Sequence, residues 1–351
     1  MKCNPDPELI KRLIDLDVGI DCASPSELEC AVNLGALPER IIYTNPIKTP
    51  ASLEIARVLG VKTLVFDNVE ELLKIKKWTP NAELLLRMEA DDPLATINFS
   101  SKFGVSPDSA GALLELASKL CMDVAGICFH IGEQEVNKSH CSRPRTNSNG
   151  CVCPGTGAKD PSAFSRAVHN ALEIAQRSKL DLRILDLGGG FTNSNFAAFA
   201  EHLRLAIAYA HHVFPQVQVI AEPGRYLACS SFTICCQVVG RRSDAEPPRL
   251  YVNDGVFGNF INAFVEQEKY QPVAVVRQGQ LYDQDSTGKR VYSIWGQTCD
   301  STDRIATEAC FDRDVRVGDW LVFADMRAYT SVCQTRFNGF DATRTPTLYI
   351  D

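Results

Sequence analysis

Two apolar segments near the middle of the chain end abruptly in glycine and charged residues. The first is Leu185-Asp-Leu-Gly-Gly-Gly-Phe191, and the second is Val219-Ile-Ala-Glu-Pro-Gly-Arg-Tyr226. Consecutive glycines expose backbone N–H groups and let an anion come close, as phosphate-binding loops require. Arg225 adds a guanidinium suited to phosphate, and Glu222 adds a carboxylate that could keep a ring nitrogen protonated. The two segments together predict a site for pyridoxal phosphate.

The elements that would position these groups are short apolar strands, which alternate with amphipathic helices over the first two-thirds of the chain. The predicted strands are Val18–Cys22, Arg40–Tyr43, Thr63–Phe66, Leu84–Met88, Val124–His130, Leu182–Leu187 and Val217–Ala221. The predicted helices are Pro7–Leu16, Glu27–Leu34, Val69–Lys77, Ser109–Leu120, Ser162–Ser178 and Phe196–His212. Seven repeats of this kind predict an α/β fold, a (β/α)₈ barrel of the TIM type. Its first strand would be largely missing, since only Met1-Lys-Cys3 precedes the first predicted helix.

In a (β/α)₈ barrel the active site gathers at the C-terminal ends of the strands. Lys2, Asp21, His130, Gly188–Gly190 and Glu222–Arg225 all fall at such ends. Residues far apart in sequence should therefore share one rim of the barrel.

The pattern changes after Tyr226 to β-rich segments. These are Phe232–Val239, Arg249–Val252, Val291–Trp295, Trp320–Phe323 and Thr347–Ile350. We therefore predict a cofactor-binding barrel over residues 1–226 and a mostly β domain over residues 227–351. The barrel would carry a polar insertion at 133–154. This insertion contains histidine and cysteines, but their spacing matches no zinc finger and no metal site is predicted.

The composition argues against several classes of protein. A net charge of −7 without a basic run is unlike a protein that binds nucleic acid or an anionic membrane surface. No apolar stretch approaches the roughly 20 residues of a membrane-spanning helix, and the N-terminus lacks a signal-peptide pattern. The 14 cysteines, most of them single within apolar segments, are typical of reduced, buried thiols. A cytoplasmic location is therefore expected.

Short motifs over nearly the whole chain resemble those of the ornithine decarboxylase family. In chain order they are Lys2-Cys-Asn4, Asp21-Cys-Ala-Ser24, Phe129-His-Ile-Gly132, Gly188-Gly-Gly-Phe191, Glu222-Pro-Gly-Arg-Tyr226, Tyr251-Val-Asn-Asp-Gly-Val256, Ser293-Ile-Trp-Gly-Gln-Thr-Cys-Asp300, Asp319-Trp320, Ala328-Tyr-Thr330 and Phe337-Asn-Gly-Phe340. The resemblance implies an alanine-racemase-like barrel with a β domain, pyridoxal 5'-phosphate as cofactor, and a small basic amino acid as substrate. It also implies a head-to-tail homodimer with shared active sites, and antizyme is a further candidate partner.

The resemblance assigns roles to individual residues around the cofactor. Lys2 would form the Schiff base with the cofactor, Glu222 would pair with the pyridine nitrogen, and His130 would stack on the ring. Taken alone, Lys2 would be a solvated terminal residue and His130 a hydrogen-bonded residue capping a strand. The other implied cofactor contacts are Asp21, Thr156, Gly188, Gly189, Gly190, Pro223, Gly224, Arg225 and Tyr329.

Further implied roles fall in the second domain. Cys299 would reach the neighbouring subunit's site and protonate the carbanion left when CO₂ departs. An ordinary thiol, with a pKa of about 8.5, keeps its proton at neutral pH where an ordinary carboxyl group has lost it. Asp300 would meet the distal ammonium of the substrate, and Phe337 would line the dimer-interface pocket. Val265 and Glu266 would contribute to the segment that selects the substrate.

The chain departs from the family pattern in four places. A long segment that precedes the lysine in the family has no counterpart, so a truncated N-terminus is expected. The polar insertion separates His130 from Gly155-Thr-Gly157, and Asn98 replaces an arginine near the cofactor. The fourth departure is in the segment that selects the substrate, where Val265-Glu266 replaces a Tyr-Asp pair and Arg327 replaces a glycine. The last two changes favour a substrate that differs from ornithine in length or in its distal group.

The leading hypothesis is the pyridoxal-phosphate-dependent decarboxylation of L-ornithine to putrescine, a step of polyamine biosynthesis. One alternative is a related decarboxylase with a changed substrate in specialised amine or alkaloid metabolism. Another is a non-catalytic regulator similar to the antizyme inhibitors. The expected truncation favours that regulator, whereas the retained Lys2, His130, Glu222 and Cys299 oppose it. A racemase fits less well, because Cys299 and the acidic substrate contacts belong to the decarboxylases.

Overall fold

The computed structural model describes residues 1–92, 99–132, 158, 160–281, 288–326, 328–341 and 345–350. The chain divides after Tyr226 into two compact units. The predicted insertion at 133–154 lies outside the described residues, as do Asn98, Thr156 and Arg327.

The first unit has the predicted β/α alternation. Its strands are β1 (Ile20–Cys22), β2 (Ile41–Tyr43), β3 (Thr63–Phe66), β4 (Glu83–Arg87), β5 (Asp123–Cys128), β6 (Ile184–Asp186) and β7 (Gln218–Ile220). They form one sheet in chain order, each strand parallel to the next. All seven overlap the strands predicted from the sequence. The predicted fold class is confirmed for this unit.

The helices of the first unit begin at signals that the sequence carries. Their bounds are α1 (Pro7–Asp15), α2 (Pro25–Asn33), α3 (Pro50–Val58), α4 (Val69–Trp78), α5 (Pro107–Lys119), α6 (Pro161–Arg177), α7 (Phe196–Val213) and α8 (Gly224–Ala228). Proline with a polar residue before it opens several of them, because its fixed φ suits the first turn and a side-chain oxygen accepts an otherwise unpaired N–H group. Helix α3 was not predicted. Thr49, which caps it by accepting from Ser52 N, and Pro50 were the missed signal.

The central strands β3, β4 and β5 of the parallel sheet are buried on both faces, as is common for strands of such sheets. In β3, Leu64 and Phe66 pack in the large helix-facing core, whereas Val65 joins a smaller cluster on the other face. Because side chains alternate along a strand, this pattern also fixes the direction of polar residues. Asp21 lies between two residues of the helix-facing core, and Asp186 follows another such residue, so both carboxyl groups point to the opposite face.

The second unit is mostly β, as predicted. Its strands are β8 (Ile234–Arg242), β9 (Arg249–Val252), β10 (Ala274–Arg277), β11 (Gln280–Leu281), β12 (Arg290–Trp295), β13 (Arg304–Phe311) and β14 (Trp320–Phe323). They form one sheet in the order β11-β10-β14-β8-β9-β12-β13, antiparallel except for the parallel pair β9 and β12. A short helix, α9 (Ile261–Val265), follows β9. The unit has an apolar core of its own.

One predicted strand of the second unit was wrong, and three of its observed strands were not predicted. The segment Thr347–Ile350 is not a strand, and its apolar side chains are exposed, with Ile350 at 91%. The strands that were not predicted are β10, β11 and β13. In β13 the apolar residues are interrupted by the exposed Thr307, Glu308 and Cys310, and pairing with β12 over most of its length stabilises the strand. The expectation of buried thiols holds only in part. Of the described cysteines, all are free, but Cys121, Cys235, Cys299, Cys310 and Cys333 are exposed.

Within the described residues, no helix is both long and apolar enough to cross a membrane.

Candidate active site

Lys2 lies among acidic side chains at the C-terminal ends of the strands of the first unit. Its Nζ is 2.8 Å from Asp21 Oδ2 and 3.9 Å from Glu222 Oε2. Both carboxylates are largely withdrawn from solvent, with side-chain exposures of 21% and 15%, while Lys2 retains 37%. Ion pairs therefore hold the Lys2 amine in place, and the amine remains accessible to solvent. The structure brings together three of the residues predicted for the cofactor.

Asp21 is held in its ionised form by its neighbours. Burial raises the pKa of this carboxyl group, but the charge of Lys2 and hydrogen bonds from Lys2 and Thr44 outweigh it and leave the pKa below its usual value. Thr44 Oγ1, at the end of β2, donates to Asp21 Oδ1. Asp21 thus serves as the counter-ion of the Lys2 ammonium.

A further carboxyl group, Asp186, lies beside Glu222 and was not predicted as a site residue. Asp186 is fully buried at the end of β6, where its Oδ1 accepts a hydrogen bond from Gly188 N at 2.9 Å. Burial raises its pKa to about 6. Burial, together with the charges of Asp186 and Asp21, raises the pKa of Glu222 well above its usual range. This shift favours the protonated form of Glu222, which could give its proton to a basic nitrogen.

The glycine turn that follows β6 packs too tightly for any side chain. Gly188 has φ +65°, and a Cβ there would overlap the carbonyl oxygen of Phe129. A Cβ on Gly189 would lie 2.7 Å from His130 Nε2. The backbone of the turn is also tied to the next strand end, since Glu222 N donates to Gly188 O at 2.7 Å. The glycines are needed here for close approach as well as for an exposed backbone.

His130 is held as a neutral imidazole next to this turn. Its Nδ1 lies 2.8 Å from Ile131 O, so Nδ1 carries the proton and Nε2 does not. Burial, assisted by the positive charges of Lys2 and Arg87, lowers its pKa to about 4. The ring meets Phe99 edge-on, with centroids 4.9 Å apart. A neutral, fixed ring is suited to lie against a planar cofactor.

The remaining predicted residues of the first unit surround the same strand ends. Arg225 is buried in the first turn of α8, and Pro223 immediately precedes that helix. A Cβ on Gly224 would lie 3.1 Å from Cys3 Cβ, so the Glu222–Arg225 segment lies close to the segment that carries Lys2. Thr156 lies outside the described residues.

The predicted residues of the second unit fall into two local groups. Cys299 is exposed, and its thiol meets the side chain of Asn338, directly after the predicted Phe337. Asp300 Oδ1 accepts hydrogen bonds from Thr302 N and Oγ1, both at 2.7 Å, and these bonds lower its pKa.

The second group lies at the end of α9. Val265 ends this helix with 60% of its surface exposed, and Glu266 follows it. Burial and the charge of Glu266 raise the pKa of Cys333, so Glu266 lies near the segment that precedes Phe337. Tyr329, the remaining predicted residue, has a left-handed backbone with φ 55°.

Asp303 is a second site-supporting residue that sequence reasoning missed. It is buried, and its carboxylate accepts Val256 N at 2.8 Å, Thr298 N at 3.0 Å and Thr298 Oγ1 at 2.6 Å. These bonds join the Tyr251–Val256 segment to the turn that bears Cys299. The sequence offered only an aspartate that lies between the Ser293–Asp300 and Asp319-Trp320 motifs.

The residues present fit pyridoxal phosphate. An accessible amine suits the aldehyde of the cofactor, and a carboxyl group that favours its protonated form suits the pyridine nitrogen. A neutral imidazole suits the aromatic ring, and a close-packed glycine turn suits the phosphate. Lys2, Glu222, His130 and the Gly188–Gly190 turn supply them within one cluster of strand ends.

Comparisons with known proteins agree with this chemistry. A family model described as pyridoxal-dependent decarboxylase, pyridoxal binding domain, matches residues 1–144 and 154–229. The chain is 38% identical to the decarboxylase flvG of Aspergillus flavus and 36% identical to the ornithine decarboxylase of Schizosaccharomyces pombe. These alignments cover 100% of this chain and 79% and 77% of those proteins. The structure is similar to that of the arginine decarboxylase of Paramecium bursaria Chlorella virus bound to agmatine, with a TM-score of 0.84 and 31% identity over 97% of this chain and 85% of that one.

Proposed function

The chain belongs to the pyridoxal-dependent decarboxylase family, and from this premise we propose that it converts L-ornithine to putrescine with Lys2 as the residue that holds the cofactor. The general reaction, without a commitment to one substrate, is the pyridoxal-phosphate-dependent decarboxylation of a basic amino acid. The observation that carries the proposed site is the position of Lys2 Nζ, 3.9 Å from a Glu222 carboxyl group whose pKa is well above its usual range.

The residues of the first unit divide the work of binding and orienting. Bound pyridoxal phosphate supplies an electron sink for the electron pair left when CO₂ departs. Glu222 would give its proton to the pyridine nitrogen and, as a carboxylate, would keep that nitrogen cationic. His130, as a neutral imidazole, would pack against the ring without competing for the proton. The backbone of Gly188–Gly190 and the buried Arg225 would hold the phosphate.

Residues of the second unit complete the reaction in this proposal. Cys299 donates a proton through its thiol to the substrate carbon that lost CO₂. Asp300, which its bonds from Thr302 keep ionised, meets the distal ammonium of the substrate. Phe337 lines the same pocket. In the proposed homodimer these groups would serve the partner subunit's Lys2, and we further propose a cytoplasmic enzyme with antizyme as a candidate regulator.

A changed basic substrate is the second candidate function, and Val265-Glu266 favours it. Val265 cannot offer a hydroxyl to a substrate, and Glu266 reaches one methylene farther than an aspartate would. Both are at the end of α9, where Val265 is exposed rather than used in the core. This arrangement favours a substrate whose distal group differs from that of ornithine.

A panel of amino acids tests the substrate. We would incubate the protein and pyridoxal phosphate with L-ornithine, L-lysine, L-arginine and 2,4-diaminobutyrate, and measure released CO₂ and the amine product. Lys2→Ala is the loss-of-site control, and Lys62→Ala, at an exposed lysine, is the matched control. We expect the highest kcat/KM for ornithine. A higher value for another member would replace ornithine with that substrate, and release of CO₂ that persists in Lys2→Ala would contradict the proposed site.

A further inference from the structure

Cys299 has a side-chain partner in the second unit that the reaction so far leaves unexplained. Asn338 Oδ1 lies 3.3 Å from Cys299 N and 3.5 Å from Cys299 Sγ. One amide oxygen thus contacts both the backbone and the thiol of the same residue, although the two residues are 39 positions apart in sequence.

The chemistry of the backbone fixes which atom of the amide faces Cys299. A backbone N–H can only donate, so the atom that meets it must be the carbonyl oxygen of Asn338 and not its NH₂ group. The thiol then also faces an acceptor, and it can complete a hydrogen bond only by donating its S–H proton. The contact favours the protonated thiol and fixes the direction in which it points.

The position of Asn338 is built into the fold of its own turn. Asn338 has φ 53°, in the left-handed region that asparagine tolerates better than most residues. The turn is anchored on the Phe257 segment, since Thr335 N donates to Phe257 O at 2.9 Å and the Phe337 ring packs on the Phe257 ring with centroids 4.4 Å apart. Asp303 holds the facing turn that bears Cys299. Both sides of the contact are therefore fixed by bonds other than the Cys299–Asn338 contact itself.

We propose that Asn338 is the positioning residue that holds the Cys299 thiol in place, with its proton on the sulfur, until that proton is donated. This inference rests on the role of Cys299 in the proposed function. It assigns Asn338 a part in the reaction without contact to substrate or cofactor, and it explains why a polar residue occupies a left-handed position that glycine would fill without strain.

The alkylation rate of Cys299 tests the proposal without any turnover. Each variant would be treated with iodoacetamide at pH 7.5, and each cysteine followed by peptide mapping, with exposed Cys310 as the internal reference. Asn338→Gly removes the amide without straining the backbone, and Asn338→Asp keeps the shape but adds negative charge. The thiolate is the species that reacts. We therefore expect the alkylation rate of Cys299 to rise about twofold to tenfold in Asn338→Gly, which corresponds to the free energy of one hydrogen bond. In Asn338→Asp the rate should fall below that of the unmodified protein.

Asn68→Ala is the matched control, because Asn68 Oδ1 also accepts a backbone N–H, from Glu71 at 2.8 Å, at the start of α4 in the first unit. It should leave Cys299 reactivity unchanged. Changes in the same direction in Asn338→Gly and Asn338→Asp, or no change in either, would overturn the proposal, because loss of the turn alone would expose the thiol in both. With ornithine, Asn338→Gly should lower kcat and leave KM within about twofold, as expected when only a transition-state interaction is lost. If the alkylation rates shift as expected while no variant releases CO₂, the proposed function fails and the contact stands.

Discussion

At the scale of single residues, the candidate site holds more acidic than basic groups, and burying them together raises the free energy of the folded protein. Three carboxyl groups, those of Asp21, Asp186 and Glu222, lie around one Lys2 ammonium. Asp21 is ionised, whereas Asp186 and Glu222 resist ionisation because they are buried and repel one another. Clusters of carboxyl groups with such perturbed pKa values are typical of functional sites. A cationic ring nitrogen would relieve the imbalance.

The first prediction concerns Asp186→Asn. The folded pKa of Asp186 is raised from 3.8 to about 6, so its contribution to stability is fully present below about 3.8 and is lost as the pH rises through about 6. Asparagine keeps the oxygen that accepts Gly188 N and cannot ionise. We expect cofactor-free Asp186→Asn to be more stable than the unmodified protein at pH 7.5, by about 1–3 kcal/mol at 1.36 kcal/mol per pKa unit, and no more stable at pH 4.

Urea unfolding of the cofactor-free protein at the two pH values measures this difference. Asp181→Asn, at an exposed aspartate, is the control and should change stability equally at both. A stability difference for Asp186→Asn that does not depend on pH would show that Asp186 does not titrate in this range.

The second prediction concerns Glu222→Gln. Glutamine keeps the size of Glu222 but holds no proton that it can transfer to the pyridine nitrogen. We expect the dissociation constant of pyridoxal phosphate to rise only modestly and kcat to fall by about 100-fold, the loss typical of one positioned electrostatic group. Fluorescence titration measures the binding and CO₂ release measures kcat. Unchanged kcat in a variant that binds the cofactor would contradict the role assigned to Glu222.

At the scale of elements, the loops after the strands carry the site, and buried polar contacts fix those loops. Lys48, in the loop after β2, is fully buried, and its Nζ donates to Val65 O at 2.6 Å and lies 3.0 Å from Glu71 Oε1. The same loop begins at Thr44, which bonds Asp21. The ion pair of Lys48 and Glu71 therefore fixes the loop after β2, and that loop holds Asp21, the counter-ion of Lys2.

The third prediction concerns this pair. Lys48→Met leaves Glu71 buried with only Lys74 as its ion-pair partner in the contacts described, and we expect a loss of about 3–5 kcal/mol of folding free energy. Lys48→Met combined with Glu71→Leu removes both charges and should recover part of the loss. Chemical denaturation of the single and double variants measures both. If the double variant were less stable than Lys48→Met alone, Lys48 and Glu71 would stabilise the fold by more than the neutralisation of each other's charge.

The sequence predicted the strands of the first unit well, because each is a short apolar run bounded by polar residues. It predicted less well where stability comes from pairing or capping. Strand β13 is stabilised by its pairing with β12, and the apolar segment Thr347–Ile350 is exposed and is not a strand. Among site residues, motifs indicated Lys2 and Glu222. Asp186 and Asn338 become visible only through contacts between distant segments.

At the scale of the whole molecule, the proposed catalytic groups belong to two different compact units. Lys2 and Glu222 belong to the first unit, and Cys299 and Asp300 belong to the second. The alignment with the Schizosaccharomyces pombe ornithine decarboxylase and the structural likeness to the viral arginine decarboxylase extend over both units. The proposed homodimer requires that each subunit supply its second unit to the partner subunit's Lys2.

The fourth prediction follows from that requirement. Lys2→Ala and Cys299→Ala should each be nearly inactive alone. When the two are mixed and allowed to exchange subunits, half of the dimers would be mixed, with one intact site in each. Activity should then return to about a quarter of that of the unmodified protein, as symmetry dictates for two shared sites. Lys2→Ala mixed with the double variant is the control and should recover nothing. No recovery in the first mixture, despite exchange shown by mass spectrometry, would place both residues in one subunit's site.

The most direct measurement of the central claim is the identity of the lysine that carries the cofactor. The protein would be incubated with pyridoxal phosphate, reduced with borohydride, digested and mapped by mass spectrometry, alongside Lys2→Ala and Lys62→Ala. The structure leads us to expect one modified peptide, labelled at Lys2, that is lost in Lys2→Ala and kept in Lys62→Ala. Labelling of another lysine with Lys2 unmodified, while the protein releases CO₂ from ornithine, would contradict the account.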